Sequence, residues 1–343
     1  MENKIKLGIT HGDLNGVGYE VIIKTFSDAR MFEQCTPILY GSSKVASYHK
    51  KLLNQQHQDL NFNVIHDASQ AVDKRFNVIN LTQDEVKIDI GKSTEIAGQL
   101  SRIALDRACE DLKNGLIDVL VTAPINKKNI QSPEFDFPGH TEYLSHKFGG
   151  ESLMMMVCDR IRIGIVTNHL ALKDVPAAIN HDRLLSKIEL MHESLRRDFG
   201  ILMPKIAVLA LDPHAGDNGV IGNQDMEVLK PTIDEAFKKG ILAYGPFPSD
   251  GFFGSAEFNR FDGCIALYHD QGLIPFKLMS FTNGVNYTAG LPIIRTSPAH
   301  GTGYDIAGKD KASEQSFRNA VYLACNVLRN RKEYAELTKD PLN

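Results

Sequence analysis

The chain has 343 residues, a formal net charge of −4, and 43% hydrophobic and 23% charged residues. This length is sufficient for two ordinary domains, and the balanced charge argues against nucleic acid and anionic membrane surfaces as partners. There is no C-x-x-C pair, no apolar run long enough to span a bilayer and no signal-peptide pattern, so we expect a cytoplasmic protein.

Short apolar runs alternate with helical patterns in the first third of the chain, which is typical of βαβ architecture. The elements predicted there are a strand at residues 5–10, a turn at 12–18, a helix at 19–26, a strand at 37–40 and a helix after Ser42. Residues 54–92 are polar and give no clear pattern.

The first turn contains three glycines, Gly12, Gly16 and Gly18. It matches neither the dinucleotide-binding fingerprint G-x-G-x-x-G nor a P-loop, because the spacing differs and no G-K-[ST] follows. We therefore interpret it as a tight strand-to-helix turn, which would border a cofactor if the protein binds one.

Later in the chain the periodicity is clearer. Residues 94–114 predict a helix that ends at Gly115, with an inward face of Ile96, Leu100, Ile103, Ala104 and Leu112. The remaining predicted elements are strands at 117–122, 162–167, 205–211 and 263–268 and helices at 182–200, 224–239 and 315–329. Asp182 is the predicted N-cap of its helix. This alternation predicts an α/β fold.

Histidines follow three of the predicted strands in the middle of the chain: His169, His214 and His269. Ligands of open parallel sheets gather outside the carboxyl ends of the strands, and three imidazoles there could share Zn, Co, Ni or Fe(II). The alternative is that each histidine only hydrogen-bonds a loop carbonyl. Other histidines lie in polar or helical contexts and are expected at the surface: His49, His57, His66 and His192.

Two segments are candidates for binding an anion. His140 and Thr141 would lie near a helix N-terminus, where free N–H groups attract oxyanions. The alternative is an ordinary N-cap threonine. Lys277 and Arg295 flank an apolar, glycine-rich stretch, where a buried cation needs a partner such as a phosphate or carboxylate. The alternative for either residue is an ordinary salt bridge.

A series of motifs runs along nearly the whole chain. They are Gly8-Ile-Thr-His-Gly-Asp-Leu-Asn-Gly-Val-Gly18, Val121-Thr-Ala-Pro-Ile-Asn-Lys127, Phe137-Pro-Gly-His-Thr-Glu142, Thr167-Asn-His-Leu-Ala-Leu172, Asp212-Pro-His-Ala-Gly-Asp217, Tyr268-His-Asp-Gln-Gly272, residues 286–295 and His300-Gly-Thr-Gly-Tyr-Asp-Ile-Ala-Gly308. With these motifs in this order, the chain resembles the 4-hydroxythreonine-4-phosphate dehydrogenase family of the pyridoxal phosphate pathway.

The resemblance implies two α/β/α domains like those of isocitrate and isopropylmalate dehydrogenases. The first would comprise residues 1–136 plus 298–343 on the cofactor side, and the second, residues 137–297, would carry the metal, substrate and dimer contacts. It also implies a homodimer with active sites at the subunit interface. A divalent metal (zinc, cobalt or magnesium) would be held by His169, His214 and His269 from both subunits, so one chain need not bring all three together. The implied substrate contacts are His140, Thr141, Lys277, Asn286 and Arg295.

The reaction implied is the NAD- or NADP-dependent oxidation of 4-phosphohydroxy-L-threonine and its decarboxylation to 3-amino-2-oxopropyl phosphate. A metal at the substrate hydroxyl would lower the pKa of that hydroxyl. Lys277, Asp250 and Asp270 are the candidates for proton transfer. By similarity to isopropylmalate-type enzymes, Gly301 and Asp305 would border the cofactor.

Some positions depart from the family pattern. His11 stands where the family usually has Pro, and Asp13-Leu-Asn15 stands where it has Glu-Pro-Ala; Asn168 replaces Thr and Ala289 replaces Leu. None of these changes removes a predicted ligand, but they leave alternatives open. One is another four-carbon phosphorylated hydroxy acid, such as threonate or erythronate phosphate, as substrate. The other is a non-redox binding protein on the same fold.

Overall fold

The computed structural model describes residues 4–339, which form an α/β protein, as the sequence predicts. The strands of this part of the chain are β1 (Ile5–Thr10), β2 (Cys35–Gly41), β3 (Phe62–Ile65), β4 (Phe76–Asn80), β5 (Val119–Thr122), β6 (Leu153–Val157), β7 (Arg162–Ile165), β8 (Lys205–Leu209), β9 (Leu242–Phe247), β10 (Gly263–Ala266), β11 (Val285–Ala289) and β12 (Arg295–Pro298).

The α-helices of the same residues alternate with these strands. They are α1 (Gly18–Phe26), α2 (Met31–Gln34), α3 (Ser43–Lys51), α4 (Glu95–Lys113), α5 (His140–Phe148), α6 (Val175–Ala178), α7 (His181–Arg197), α8 (Lys230–Lys238), α9 (Ser249–Gly254), α10 (His269–Ser280) and α11 (Gln315–Leu337). Between residues 4 and 339, no helix has both the length and the apolar character needed to cross a membrane.

The chain folds into two compact units. Within the described residues, unit 1 comprises residues 4–143 and 293–328, and unit 2 comprises residues 144–292 and 329–339. The sequence-based ranges placed the divisions at 136/137 and 297/298 instead. Two of the divisions fall inside helices, at 143/144 in α5 and at 328/329 in α11, so no linker composition marks them.

Unit 1 is built on a parallel sheet with the strand order β3-β4-β2-β1-β5-β12. Strand β1 lies between β2 and β5, and its side chains Leu7 and Ile9 are fully buried. Because all six strands are parallel, the loops that follow β1, β5 and β12 leave the sheet at one edge. That edge carries the glycine-rich turn of residues 12–18 and the loop of residues 299–314.

Unit 2 is built on a mixed sheet with the strand order β11-β6-β7-β10-β8-β9. Strand β6 is antiparallel to both of its neighbours, whereas β7, β10, β8 and β9 are parallel to one another. The register pairs Ile165 of β7 with Ala266 of β10, and Ile265 with Val208 of β8. The carboxyl ends of β7, β10 and β8 therefore lie side by side.

Several local predictions need correction. The N-cap of α7 is Asn180, whose side chain accepts a hydrogen bond from the Arg183 N–H, so Asp182 lies in the first turn instead. In α4, Leu100, Ala104 and Leu112 are buried, but Ile96 and Ile103 are exposed. Each of these two residues directly precedes a buried alanine, Ala97 or Ala104, and lies at the boundary of the apolar face.

The assignment of His49 to the surface was wrong. His49 is only 2% exposed, and its ring stacks on Tyr19 with 5.1 Å between ring centroids. Its Nε2 atom lies 2.8 Å from the Leu14 carbonyl oxygen. Tyr19 also stacks on His11, whose side chain is buried. The polar composition of α3 hid the fact that its histidine faces the interior.

Candidate active site

The three predicted metal ligands follow three neighbouring parallel strands. His169 comes shortly after β7, His269 begins α10 just after β10, and His214 comes shortly after β8. The loops after β7 and β10 are tied together, because the Thr167 hydroxyl donates to the Leu267 carbonyl oxygen at 2.8 Å. All three histidines thus start from one edge of the sheet of unit 2.

Of these ligands, His169 and His269 lie close together. Their ring centroids are 6.1 Å apart and their planes are inclined by 38°. Two imidazoles on one tetrahedral ion have ring centres about 5–6 Å apart when the metal–nitrogen distance is about 2.0 Å. Both side chains line a cavity of about 430 Å³. Its other lining residues are Asn168, Leu170, Ala171, Leu172, Val175, Tyr268 and Asp270.

Asp270 lies directly against His269. A carboxylate oxygen of Asp270 is 2.6 Å from Nδ1 of His269. A neutral imidazole that donates from Nδ1 presents Nε2 as its lone-pair nitrogen, and metal-binding histidines are commonly oriented by a carboxylate in this way. The geometry therefore gives Asp270 a means of fixing the tautomer of His269.

His214 is placed differently from the other two. It is exposed and is not among the residues that line the cavity. It begins a run of six residues with positive φ, between 44° and 88° over residues 214–219. Within residues 4–339, no three potential ligands from His, Cys, Asp and Glu form a group that could hold a metal ion. A single chain thus brings together two of the three predicted ligands.

Two buried polar residues that the sequence reasoning missed position these loops. The Asp225 carboxylate accepts the N–H groups of Leu211 and Asp212, at 2.8 and 2.9 Å, and so holds the start of the His214 turn. Burial raises the pKa of this carboxyl above its ordinary value. Asp225 opens the helix that was predicted at residues 224–239, a context that gives no hint of this role.

Gln271 is the second such residue. Its Oε1 accepts the Leu267 N–H at 2.7 Å, and its Nε2 donates to the Ala210 carbonyl at 2.6 Å and to Ser249 Oγ at 2.9 Å. One buried amide therefore joins the ends of β10 and β8 to the start of α9. The signal in the sequence was its place in the motif Tyr268-His-Asp-Gln-Gly272, two residues after the histidine.

Three other predicted residues of unit 2 lie outside that cavity. Lys277 is exposed on α10, and Asp250 is exposed in the first turn of α9. Asn286 lies on β11, and its buried Oδ1 atom has no hydrogen-bond partner within the described chain. An unused acceptor of this kind has a desolvation cost that a ligand can offset.

Arg295 of unit 1 is a buried cation. It is 2% exposed, and its Nε and Nη2 atoms donate to Thr122 Oγ1 at 3.1 and 2.7 Å. Burial lowers the pKa of this guanidinium to about 9, and the negative charge of Glu142 partly offsets the effect. The group still carries its charge at neutral pH, so an anion bound nearby would be stabilised.

His140 lies within the electrostatic reach of Arg295. Burial, the charge of Arg295 and the charge of Lys127 together hold the pKa of His140 well below its ordinary value. The imidazole is therefore neutral at pH 7, and its buried Nε2 atom has no hydrogen-bond partner within residues 4–339. The adjacent Thr141 is buried in the first turn of α5. These groups and the helix N-terminus form a set of donors suited to an oxyanion.

The two predicted cofactor contacts, Gly301 and Asp305, lie in the loop of unit 1 that follows β12. Both are exposed, and a side chain at position 301 would meet only open space. Tyr304, between them, is half-buried and hydrogen-bonded to Asp13. The loop therefore turns the side chain of Tyr304 inward and leaves Gly301 and Asp305 accessible.

Comparison with known proteins gives a consistent result. The model of the family described as pyridoxal phosphate biosynthetic protein PdxA matches residues 33–324. A 4-hydroxythreonine-4-phosphate dehydrogenase from Bacteroides thetaiotaomicron is 52% identical over 343 residues, covering 99% of this chain and 93% of the relative. One from Sulfurihydrogenibium sp. is 39% identical, covering 96% and 100%.

A solved structure supports the same assignment. The 1.25 Å crystal structure of 4-hydroxythreonine-4-phosphate dehydrogenase from Klebsiella pneumoniae is 30% identical, with a TM-score of 0.79 and coverage of 95% of this chain and 100% of that one. The resemblance inferred from the motifs is thereby confirmed: the chain belongs to the PdxA family of pyridoxal phosphate biosynthetic proteins.

Proposed function

We propose that this protein is an oxidoreductase that uses NAD or NADP to oxidise 4-phosphohydroxy-L-threonine and decarboxylate the product to 3-amino-2-oxopropyl phosphate, in pyridoxal 5′-phosphate biosynthesis. The observation that carries the proposal is the 52% identity, over almost the full chain, to a relative named for this dehydrogenase. In this reaction the substrate loses a hydride to the nicotinamide ring, a proton to a base, and CO₂ from the resulting β-keto acid.

A divalent cation, of zinc, cobalt or magnesium, would be held by His169, His269 and His214. The donor set fits such an ion, because two imidazoles line one cavity and Asp270 can present Nε2 of His269 to it. When bound, the cation supplies Lewis acidity at the substrate hydroxyl and at the carbonyl formed from it. The exposed position of His214 fits a ligand that acts on the partner subunit.

A homodimer is the assembly that we propose. The outer face of α10 and the residue that caps it carry Ile274, Leu278 and Phe281, which are 59%, 83% and 80% exposed. Their spacing places them on one side of the helix, next to Lys277. An apolar stripe of this kind is costly to leave in water. We propose that a second copy of the chain covers it, in an interface that contains the active sites.

The contacts that we propose for the charged groups of the substrate are the residues that the family resemblance implies. In unit 1, Arg295, His140 and Thr141 provide donors for phosphate or carboxylate oxygens. In unit 2, Lys277 and Asn286 are the corresponding proposed contacts. The neutral state of His140 allows a hydrogen bond to the anion, and the buried charge of Arg295 provides the electrostatic attraction.

The proton of the substrate hydroxyl needs an acceptor, and Lys277 and Asp250 are the proposed acid–base groups. From the sequence, Lys277 was the first choice for proton transfer, and Asp270 was a candidate partner alongside Asp250. Its 2.6 Å contact with Nδ1 of His269 favours an orienting role instead. The loop with Gly301 and Asp305 would contact the cofactor, which accepts the hydride, so unit 1 provides the cofactor side.

The test is an activity panel. Purified protein is incubated with NAD or NADP and with 4-phosphohydroxy-L-threonine, threonate phosphate or erythronate phosphate, and reduced cofactor and CO₂ are measured. We expect release of both with 4-phosphohydroxy-L-threonine at a kcat/KM above that of the other acids. A higher kcat/KM for one of those acids would assign the alternative substrate, and no reduced cofactor with any of them would favour a non-redox protein.

A further inference from the structure

We propose that Tyr304 is a positioning residue for cofactor binding: its hydroxyl, held by Asp13 and Asn126, fixes the loop of residues 300–308 in the shape that receives the nicotinamide nucleotide. This inference rests on the proposed NAD(P) dependence and deepens it. All the contacts that carry it lie within unit 1.

Asp13 is the centre of the arrangement. It lies in the turn after β1 and is 1% exposed. Its Oδ1 accepts the Asn15 N–H at 2.9 Å, and its Oδ2 accepts from Asn129 Nδ2 at 2.8 Å and from the Tyr304 hydroxyl at 2.7 Å. A buried carboxylate with three donors from three separate segments ties those segments together.

The Tyr304 hydroxyl has a second partner. It donates to Asp13 and accepts a hydrogen bond from Asn126 Nδ2 at 3.1 Å. Asn126 is itself oriented, because its Oδ1 accepts the N–H groups of Lys128 and Asn129 at 2.9 and 3.2 Å. Burial and the neighbouring Asp13 raise the pKa of Tyr304 to about 12, so the hydroxyl keeps its proton at neutral pH.

The backbone of the loop is held at the same place. The Val17 N–H donates to the Thr302 carbonyl at 2.9 Å. Two glycines allow the close approach: a Cβ atom at Gly16 would overlap the Thr302 carbonyl, and one at Gly91 would lie 2.8 Å from the Tyr304 carbonyl oxygen. The middle of the loop of residues 300–308 therefore has little freedom to move relative to the turn of residues 12–18.

The outward side of this loop is the part available to a ligand. Gly301 and Asp305 flank the anchored segment and are both exposed. Nucleotides bind outside the carboxyl ends of parallel strands, and this loop follows β12 at that edge of the unit 1 sheet. A loop whose shape is fixed before binding loses less conformational entropy when the nucleotide arrives. Loss of the hydrogen bonds of Tyr304 should therefore weaken cofactor binding, even without a direct contact between Tyr304 and the cofactor.

The experiment measures binding of NADH and NADPH by fluorescence titration to the full-length protein, independently of turnover. The test variant is Tyr304→Phe. The matched control is Tyr40→Phe. The Tyr40 hydroxyl also donates to a carboxylate of unit 1, that of Asp111, at 2.7 Å. Both residues are far from the loop of residues 300–308 in sequence. KM for the cofactor, KM for the phosphorylated substrate and the melting temperature are measured alongside.

We expect Tyr304→Phe to raise Kd and KM for the cofactor about 10-fold, with KM for the substrate unchanged, while Tyr40→Phe changes cofactor Kd by less than about twofold. An Asp13→Asn variant should weaken cofactor binding in the same direction. The inference is overturned if Tyr304→Phe binds the cofactor as tightly as the parent, or if Tyr40→Phe loses as much affinity. A parent protein that binds neither nucleotide would overturn the NAD(P) dependence itself, and this inference with it.

Discussion

The loop around Asp13 in unit 1 and the turn around His214 in unit 2 both follow the carboxyl end of a parallel strand, but they are stabilised in different ways. Side-chain hydrogen bonds from Asn129 and Tyr304, distant in sequence, converge on the buried Asp13. His214 is exposed in a short left-handed run, whose start is held by Asp225. The first region is preorganised within one chain. The second keeps an unfavourable backbone around a predicted ligand, as functional segments often do.

Removing the carboxylate at position 13 should break the first region. In Asp13→Ala, three donors lose their buried acceptor, and each unsatisfied group costs about 1–3 kcal/mol, so we expect a loss of about 3–5 kcal/mol in the free energy of unfolding. Chemical denaturation measures it. The exposed Asp305→Ala, in the loop that Asp13 anchors, should change stability by less than about 0.5 kcal/mol. Equal effects of the two substitutions would contradict the account.

Acid should weaken the first region as well. Burial lowers the pKa of His11 and of His49 to about 4, from an unperturbed value of 6.5. Because the pKa is lower in the folded state, these histidines bind protons in the unfolded chain at a higher pH than in the folded protein. The contribution of these neutral histidines to the free energy of unfolding is therefore fully present above pH 6.5. It is lost as the pH falls toward 4, by up to about 3 kcal/mol for each histidine.

Melting temperatures measured across that pH range test this expectation. The variant His11→Gln should show a shallower decline than the parent, because one of the two titrating groups is gone. His66→Gln, at an exposed position, is the matched control and should follow the parent. A decline that is the same in all three proteins would locate the acid sensitivity elsewhere.

The smallest expected effect on the free energy of unfolding comes from relieving backbone strain in the turn around His214. Ala215 has φ of 53°, where an L-residue with a side chain costs roughly 1–2 kcal/mol relative to glycine. Ala215→Gly should therefore raise the free energy of unfolding by about 1 kcal/mol when measured with chelator present. The control Ala177→Gly, in helix α6, should lower it by about 0.5–1 kcal/mol. Destabilisation by both changes would show that the turn is unstrained.

Sequence patterns predicted much of the fold because many strands are apolar and buried, as in β1, β5, β8 and β10. Strands β3 and β4 lie in the region without a clear pattern. The side chains of β3 are largely half-exposed, and β4 contains the buried Asn77, which bonds to turn carbonyls instead of following an apolar alternation. The half-exposed edge strand β3 and the polar residue inside β4 both weaken the period-2 signal.

The site was predictable to the extent that it depends on strand order. Placing histidines after three strands required only that those strands be parallel neighbours, and β7, β10 and β8 are. The pairing of Asp13 with Tyr304 joins residues that are 291 apart in sequence, so no local pattern reports it. The left-handed turn at His214 was equally hidden, because most of its residues are not glycine.

The most direct test of the central claim is the metal dependence of turnover. Oxidation of 4-phosphohydroxy-L-threonine is measured in the purified protein before chelation, after chelation, and after zinc, cobalt or magnesium is returned, together with the metal content. We predict that chelation abolishes reduced-cofactor formation, that one of the ions restores it, and that folded His214→Ala stays inactive at every metal concentration. Full activity in metal-free protein, or normal turnover by His214→Ala, would contradict the account.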